Sequence, residues 1–299
     1  MSSSRTVGRV VERGRIGQRL VRTPLRTLVL VLPALAILIG VFAYPLAQSM
    51  WLSVSDPSLD FSNYVWVFGT AGNVAVILRT FGIALATTVI CLALAYPYAY
   101  LMTIAGPRGR AALIIIVLIP FWTSLMIRSF AWIILLQDNG LVNQLLGVFG
   151  MGPFQLIRTP TGVLIGMVQV LLPFMVLPLY AVMSGIDSRL SDAARSLGAR
   201  PVTAFLTVFV PLSMPGVLAG ALMVFIQSLG FYITPALLGS PSESMISQSI
   251  YGQVNGLLQW GRGGALGAVL LLLTLLLLGV LALIMRATRR TTGKDMLSL

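Results

Sequence analysis

The sequence alternates long apolar runs with short polar segments. Six of the runs approach or exceed the roughly 20 residues that a helix needs to cross a lipid bilayer. These runs cover residues 28–50, 76–102, 111–136, 163–183, 215–238 and 265–285. Leucine is almost unbroken from Leu270 to Leu278 in the sixth run, whereas Pro215 and Pro235 punctuate the fifth. The pattern predicts an all-α membrane protein with six transmembrane helices, forming one domain over residues 28–288.

The overall composition supports this interpretation. Hydrophobic residues make up 57% of the 299 residues and charged residues only 9%. Soluble domains carry about 25% charged residues, so this chain has too few charges to cover a water-facing surface. The surplus of apolar side chains must face lipid or other apolar helices.

Basic residues fall mainly in every second polar segment. Of the 20 Lys and Arg residues, 16 lie within residues 5–26, 108–110, 189–200 and 286–294. A six-span topology puts these four segments on the same side of the membrane, and cytoplasmic segments are enriched in Lys and Arg. We therefore expect both termini to be cytoplasmic.

The two terminal segments follow from this topology. Residues 1–27 form a basic cytoplasmic segment, either an amphipathic helix on the anionic inner leaflet or a disordered tail. Residues 289–299 form a cytoplasmic tail. Because membrane topology accounts for the basic residues and no aromatic residues are interleaved with them, we expect contact with lipid and no nucleic-acid partner.

Few residue types suited to cofactor chemistry are present. The chain has no His, one Cys (Cys91) and one Lys (Lys294), which argues against zinc, haem and clustered-thiolate sites. Lys294 does not follow a glycine-rich phosphate loop. We predict no catalytic residue, metal or cofactor on this chain, and we disfavour a membrane enzyme. If ATP drives the protein, ATP and Mg must bind to another chain.

The polar segment 185–211 is patterned as a short helix. Asp187 or Ser188 can cap its start, and Gly198 suits the left-handed residue that ends a helix. Leu190, Ala194 and Leu197 fall on one face. This pattern fits either a helix that docks into a partner or an ordinary connecting helix on the membrane surface.

A known motif resembles this segment. Asp192-Ala193-Ala194, Gly198, Val208 and Val210-Pro211 are similar to the EAA motif of ABC importer permeases and keep its spacing, with Asp for Glu and Val for Ile and for Leu. The resemblance implies a type I, MetI-like permease fold and a cytoplasmic coupling loop over residues 185–211. The residues it implies in coupling to an ATPase are Asp192, Ala193, Ala194, Leu197, Gly198 and Pro211.

Further motifs resemble the spermidine/putrescine permease subfamily. They are residues 96–99, 120–123, 127–128, 172–175, 178–180 and 211–216. This resemblance implies a polyamine or related small amine as solute; the alternative is an amino-acid-like solute such as 4-aminobutyrate or an opine. It also implies a second homologous permease in a heterodimer, two cytoplasmic ATPase subunits and an extracytoplasmic solute-binding protein. An autonomous channel or secondary transporter is the other class, although it leaves the coupling-type loop unused and no internal repeat supports it.

Polar residues inside membrane spans often mark a solute pathway. The candidates are Trp122, Thr123, Arg128, Gln169, Gln227 and Tyr232. Arg128 could instead reach the membrane surface or pair with a neighbouring subunit, and the amides could bond a neighbouring helix. Trp122, Trp132, Tyr232 and Tyr251 could offer aromatic faces to a cation. None of the eight acidic residues lies clearly in mid-membrane.

Overall fold

The computed structural model describes residues 25–295, with the side chains of residues 32–280 and of Leu283. Helices account for its regular structure, and no strand occurs among these residues. In chain order they are α1 (Leu25–Ser55), α2 (Ser62–Gly69), α3 (Ala71–Ile104), α4 (Pro107–Leu118), α5 (Leu125–Leu135), α6 (Leu141–Val148), α7 (Pro160–Met183), α8 (Ser188–Ser196), α9 (Pro201–Ala204), α10 (Val210–Leu229), α11 (Ile233–Leu238), α12 (Ile246–Tyr251) and α13 (Trp260–Asp295). Most of the predicted basic segment 1–27, up to residue 24, and the end of the predicted tail, from residue 296, lie outside the described residues.

The predicted number of membrane crossings is confirmed when one bent helix pair is counted as a span. Five helical stretches are long and apolar enough to cross a membrane: Leu32–Ser55, Ala71–Ile104, Pro160–Met183, Pro201–Leu229 and Trp260–Val280. The pair α4 and α5 supplies the sixth. The chain divides into two compact units. The first ends at Gln48, within α1, and the second begins at Ser49.

The third predicted span, 111–136, is not one straight helix. A 3₁₀ turn, Ile119–Trp122, follows α4, and α5 leaves at an angle of 99° to it. Pro120 donates no backbone hydrogen bond, and Thr123 and Ser124 adopt extended ψ angles of 141° and 137°. The Thr123 hydroxyl donates to the Pro120 carbonyl at 2.9 Å. The apolar run therefore folds as an elbow.

The fifth predicted span, 215–238, has the wrong limits. The helical stretch begins at Pro201 and ends at Leu229, and residues 233–238 form the separate helix α11. Pro201 can start the helix because an N–H at the first helical position has no intrahelical partner, so proline loses no hydrogen bond there. A π-helical turn, Phe205–Phe209, precedes Pro211. The predicted coupling loop 185–211 is therefore shorter, because its second half already belongs to the span.

The core of the second unit is built by α3, α7 and α10. Its fully buried side chains include Cys91, Ala95, Met167, Met175 and Val224. Gly216 and Gly220 allow α10 to approach α7 closely. A Cβ on Gly220 would lie 3.0 Å from the Met175 carbonyl oxygen, and one on Gly216 would lie 3.2 Å from the Leu179 Cα. This Gly-x-x-x-Gly pair therefore serves close packing of the two helices.

Opposite the α8 end of the bundle, polar side chains join α2 to the start of α13. The Asn63 amide donates to the carbonyls of Ser53 and Asp56 at 3.0 and 2.7 Å. The Asp56 carboxylate accepts from the Gly261 N–H at 2.9 Å. The Arg262 guanidinium lies 4.8 Å from the centre of a Trp66 ring. We call these contacts the α2–α13 junction.

Candidate coupling helix and solute pathway

Both ends of α8 are capped as the sequence predicts. The Asp187 carboxylate accepts the Arg189 N–H at 2.9 Å, which satisfies one of the free donors of the first turn. At the other end Gly198 has φ +91°, a backbone conformation that costs a non-glycine residue about 1–2 kcal/mol. The Ala199 N–H reaches the Ala194 carbonyl at 3.1 Å. Local sequence therefore fixes both the start and the end of this helix.

Most of α8 is exposed within the described part of the chain, and only Ser191 and Ala194 are half-buried. None of its residues is buried. Leu190 is 48% exposed, and Leu197, which caps its end, is 90% exposed. Asp192 lies 3.8 Å from Arg195, and both side chains face solvent. An apolar stripe on an otherwise polar helix is thus left available for contact with another molecule.

The helix that follows α8 is tied to α3 by four aromatic rings, which we call the aromatic cluster. Phe205 and Phe209 stack at 5.3 Å in the π-turn. The Tyr100 ring packs edge-on against both at 5.2 Å, and Tyr96 packs edge-on against Phe205 at 6.4 Å. A hydrogen bond of 2.9 Å joins the hydroxyls of Tyr96 and Ser213. The start of the helical stretch after α8 is therefore packed directly against α3.

Sequence reasoning overlooked the aromatic cluster. Its signal was the same spacing of four residues in both pairs, Tyr96 with Tyr100 and Phe205 with Phe209, which puts each pair on one helix face. Because the predicted fifth span began only at residue 215, the two phenylalanines were assigned to a loop.

The predicted coupling residues divide into two groups. Asp192, Ala193 and Ala194 lie on α8, with Leu197 and Gly198 at its end. Pro211 lies beyond the π-turn in the first turn of α10. In an α-helix the ring of a proline clashes with the carbonyl four residues earlier. The turn before Pro211 is not α-helical: the Val210 N–H donates to the Phe205 carbonyl, five residues earlier, as in a π-helix. Pro211 therefore shapes the helix after the coupling segment.

The candidate pathway residues do not form one cluster. Trp122 is 78% exposed and Thr123 lies in the elbow. Arg128 is half-buried on α5, and its Nε is buried without a hydrogen-bond partner in the described residues. Gln227 is half-buried on α10. These four positions are spread over the elbow, α5 and α10.

Two other candidates each meet an aromatic residue. The Trp132 indole donates to the Gln169 side-chain oxygen at 3.5 Å, beside an almost wholly apolar groove of about 440 Å³. The rings of Tyr232 and Tyr251 lie 5.1 Å apart, and Tyr251 is 53% exposed. The Tyr232–Tyr251 pair stands where α10 has ended and α12 ends, so it lies at the opposite end of the bundle from α8.

Comparison with known proteins identifies the class. Residues 104–290 match the family of binding-protein-dependent transport system inner membrane components, and the chain belongs to this family. It is therefore the membrane-embedded permease subunit of an ABC importer and not an enzyme.

Two individual relatives are spermidine/putrescine permeases. The spermidine/putrescine transport system permease protein PotB of Haemophilus influenzae is 35% identical over 241 residues, which is 80% of this chain and 79% of the relative. PotB of Escherichia coli is 35% identical over 192 residues, 64% of this chain and 70% of the relative.

A solved structure shares the fold. A chain of a bacterial alginate ABC transporter, in complex with an alginate pentasaccharide-bound periplasmic protein, superposes with a TM-score of 0.69 at 17% identity, over 84% of this chain and 91% of that one. The fold prediction is confirmed.

Proposed function

We propose that this chain forms half of the solute pathway of an importer that takes up a polyamine, and that α8 couples the pathway to a separate ATPase. The similarity to the two PotB proteins supports the solute class. The observation that carries the coupling role is the capped helix α8, which has no buried residue and leaves Leu190 and Leu197 exposed. An amino-acid-like solute such as 4-aminobutyrate or an opine remains the alternative within the same family.

The proposal includes the rest of the assembly. A second homologous permease completes the pathway, two cytoplasmic ATPase subunits bind ATP and Mg, and an extracytoplasmic protein delivers the solute. With α8 and both termini on the cytoplasmic side, the Tyr232–Tyr251 pair lies at the end where solute enters. Closure of the ATPases would push α8, and the aromatic cluster would carry that movement to α3 and α10.

A charge placed on α8 tests the coupling role. Ala193 is exposed, so Ala193→Arg adds bulk and charge without disturbing the core. Gly198→Arg adds the same side chain at the exposed, left-handed residue that ends α8. We expect both variants to lose the ATPase on co-purification and to lose uptake. Asn139→Arg, in an exposed loop at the other end, is the control and should keep both. Uptake that survives both α8 variants would refute the coupling role.

The tyrosine pair tests the solute. An aromatic face contributes about 0.5–2 kcal/mol to holding a cation, depending on desolvation. We expect Tyr232→Ala and Tyr251→Ala to reduce spermidine uptake by the intact transporter about twofold to thirtyfold. The Phe variants keep the ring and should stay near the original rate. Uptake of 4-aminobutyrate instead of spermidine would favour the alternative solute.

A further inference from the structure

A polar cavity of about 290 Å³ lies between α8 and the membrane helices. The ends of α3 and α7, the start of α4, α8 and the π-turn enclose it. Its polar lining consists mainly of Thr103, Arg110, Ser184, Ser188, Ser191 and Asp192. The cavity is therefore on the inner side of the coupling helix, away from the exposed stripe of Leu190 and Leu197.

Arg110 is the cation of this cavity, and the chain leaves it incompletely paired. Its Nε is buried and has no hydrogen-bond partner among residues 25–295. A guanidinium carries five N–H donors and stays charged, and a buried donor without a partner is costly. Arg108, two residues earlier, is exposed and does not line the cavity.

The other cavity residues complement an anion in part. Hydroxyl groups of Ser188 and Ser191 supply donors that can turn toward a ligand. The Asp192 carboxylate also lines the cavity and opposes an anion, but the positive group that it meets is Arg195, at 3.8 Å. Within the described chain no ion pair joins Asp192 to Arg110.

We propose that this cavity binds a phosphate group, from an anionic phospholipid of the inner leaflet or from the cytosol. The inference rests on the cytoplasmic orientation of α8 proposed above. Two membrane-crossing helices, α3 and α7, end at the cavity, so it opens at the depth of lipid headgroups. Basic pockets between transmembrane helices on this side bind anionic headgroups. A bound phosphate would bridge Arg110 on α4 to serines on α8.

The test uses the full-length chain purified in dodecyl maltoside, which contains no phosphate. Dihexanoyl-phosphatidylglycerol, inorganic phosphate and phosphate-free dihexanoylglycerol are titrated separately, and binding is followed by native mass spectrometry and by the shift in thermal midpoint. We expect R110Q to weaken binding of the phospholipid at least about tenfold. R108Q removes the same charge from the exposed neighbour and should change binding less than about twofold.

A second variant guards against a folding defect in R110Q. S191L keeps every charge and fills the cavity, and we expect the same loss of binding. Phospholipid binding without phosphate binding identifies the lipid as the source, and competition by inorganic phosphate identifies a soluble source; both support the site. Equal losses in R108Q and R110Q, or equal binding of dihexanoylglycerol, overturn it. Because no ATPase or uptake is measured, such a failure leaves the importer proposal intact.

Discussion

The α2–α13 junction and α8 use polar side chains in opposite ways. At the junction, the Asn63 amide, the Asp56 carboxylate and the Arg262 guanidinium all contact groups of the same chain. On α8, the one ion pair, between Asp192 and Arg195, is exposed, and the leucines at 190 and 197 face outward. The first region is built to hold a fixed geometry, and the second is built to be completed by another molecule.

The largest effect is expected from breaking the junction at Gly261. A Cβ there would overlap the Asp56 backbone carbonyl and crowd the Asn63 amide, and neither group can move freely. Gly261→Ala should therefore lower the free energy of unfolding by about 3 kcal/mol, measured by denaturant or thermal unfolding in detergent.

Gly267 provides the control in the same helix. A Cβ at this position meets nothing within 4 Å, so Gly267→Ala should leave the stability unchanged or raise it by up to about 1 kcal/mol. Equal stability of the two variants would show that the junction does not hold a fixed geometry.

A change at the end of α8 should affect transport and spare stability. Gly198 has φ +91°, so Gly198→Ala strains the cap by about 1–2 kcal/mol and favours fraying of the helix. Because α8 has no buried residue, the unfolding midpoint should hardly move. We expect uptake by the assembled transporter to fall about tenfold.

Gly185→Ala is the matched control for this variant. Gly185 lies just before α8, and its Cβ would make only an ordinary contact of 3.5 Å with the Val182 carbonyl oxygen. Uptake should stay within about twofold of the original rate. If Gly198→Ala lowered the unfolding midpoint as far as Gly261→Ala does, α8 would belong to the rigid part of the fold, and its contrast with the α2–α13 junction would be wrong.

The sequence predicted what depends on local pattern. Hydropathy located the membrane helices, and the residue types at Asp187 and Gly198 were sufficient to predict both ends of α8, because capping depends only on neighbouring backbone groups. The elbow at Thr123 and the start of the fifth span at Pro201 were missed. A proline bends, interrupts or begins a helix according to its position and surroundings, and hydropathy does not distinguish these outcomes.

In the candidate site, too, the sequence shows the individual residues but not the contacts that folding creates between them. Each member of the aromatic cluster is visible in the sequence, but α3 and the π-turn are separated by about one hundred residues, and only tertiary packing brings the rings together. The six pathway candidates rest on polar or aromatic character alone, because the sequence does not show their neighbours in space. Polarity identified Gln169 and Tyr232, which do meet aromatic residues, without showing which residues they meet.

The smallest effect is expected from Tyr96→Phe, which tests whether coupling between α8 and α3 is distinct from the general stability of the bundle. Tyr96→Phe removes the hydrogen bond to Ser213 but keeps the ring against Phe205. The Ser213 hydroxyl still donates to the Val210 carbonyl at 2.8 Å, so its own donor stays satisfied. The free energy of unfolding should fall by only about 1 kcal/mol. Uptake per ATP hydrolysed should fall as well, because the bond joins α3 to the helix that follows α8.

Tyr98→Phe removes a comparable bond elsewhere on α3, where the hydroxyl donates to the Leu113 carbonyl at 2.8 Å. Its ring is not part of the aromatic cluster, so we expect a similar loss of stability with an unchanged ratio of uptake to ATP hydrolysis. A fall in that ratio for Tyr98→Phe as large as for Tyr96→Phe would mean that coupling follows the general stability of the bundle. A fall confined to Tyr96→Phe would locate the coupling in the contact between α3 and the helix after α8.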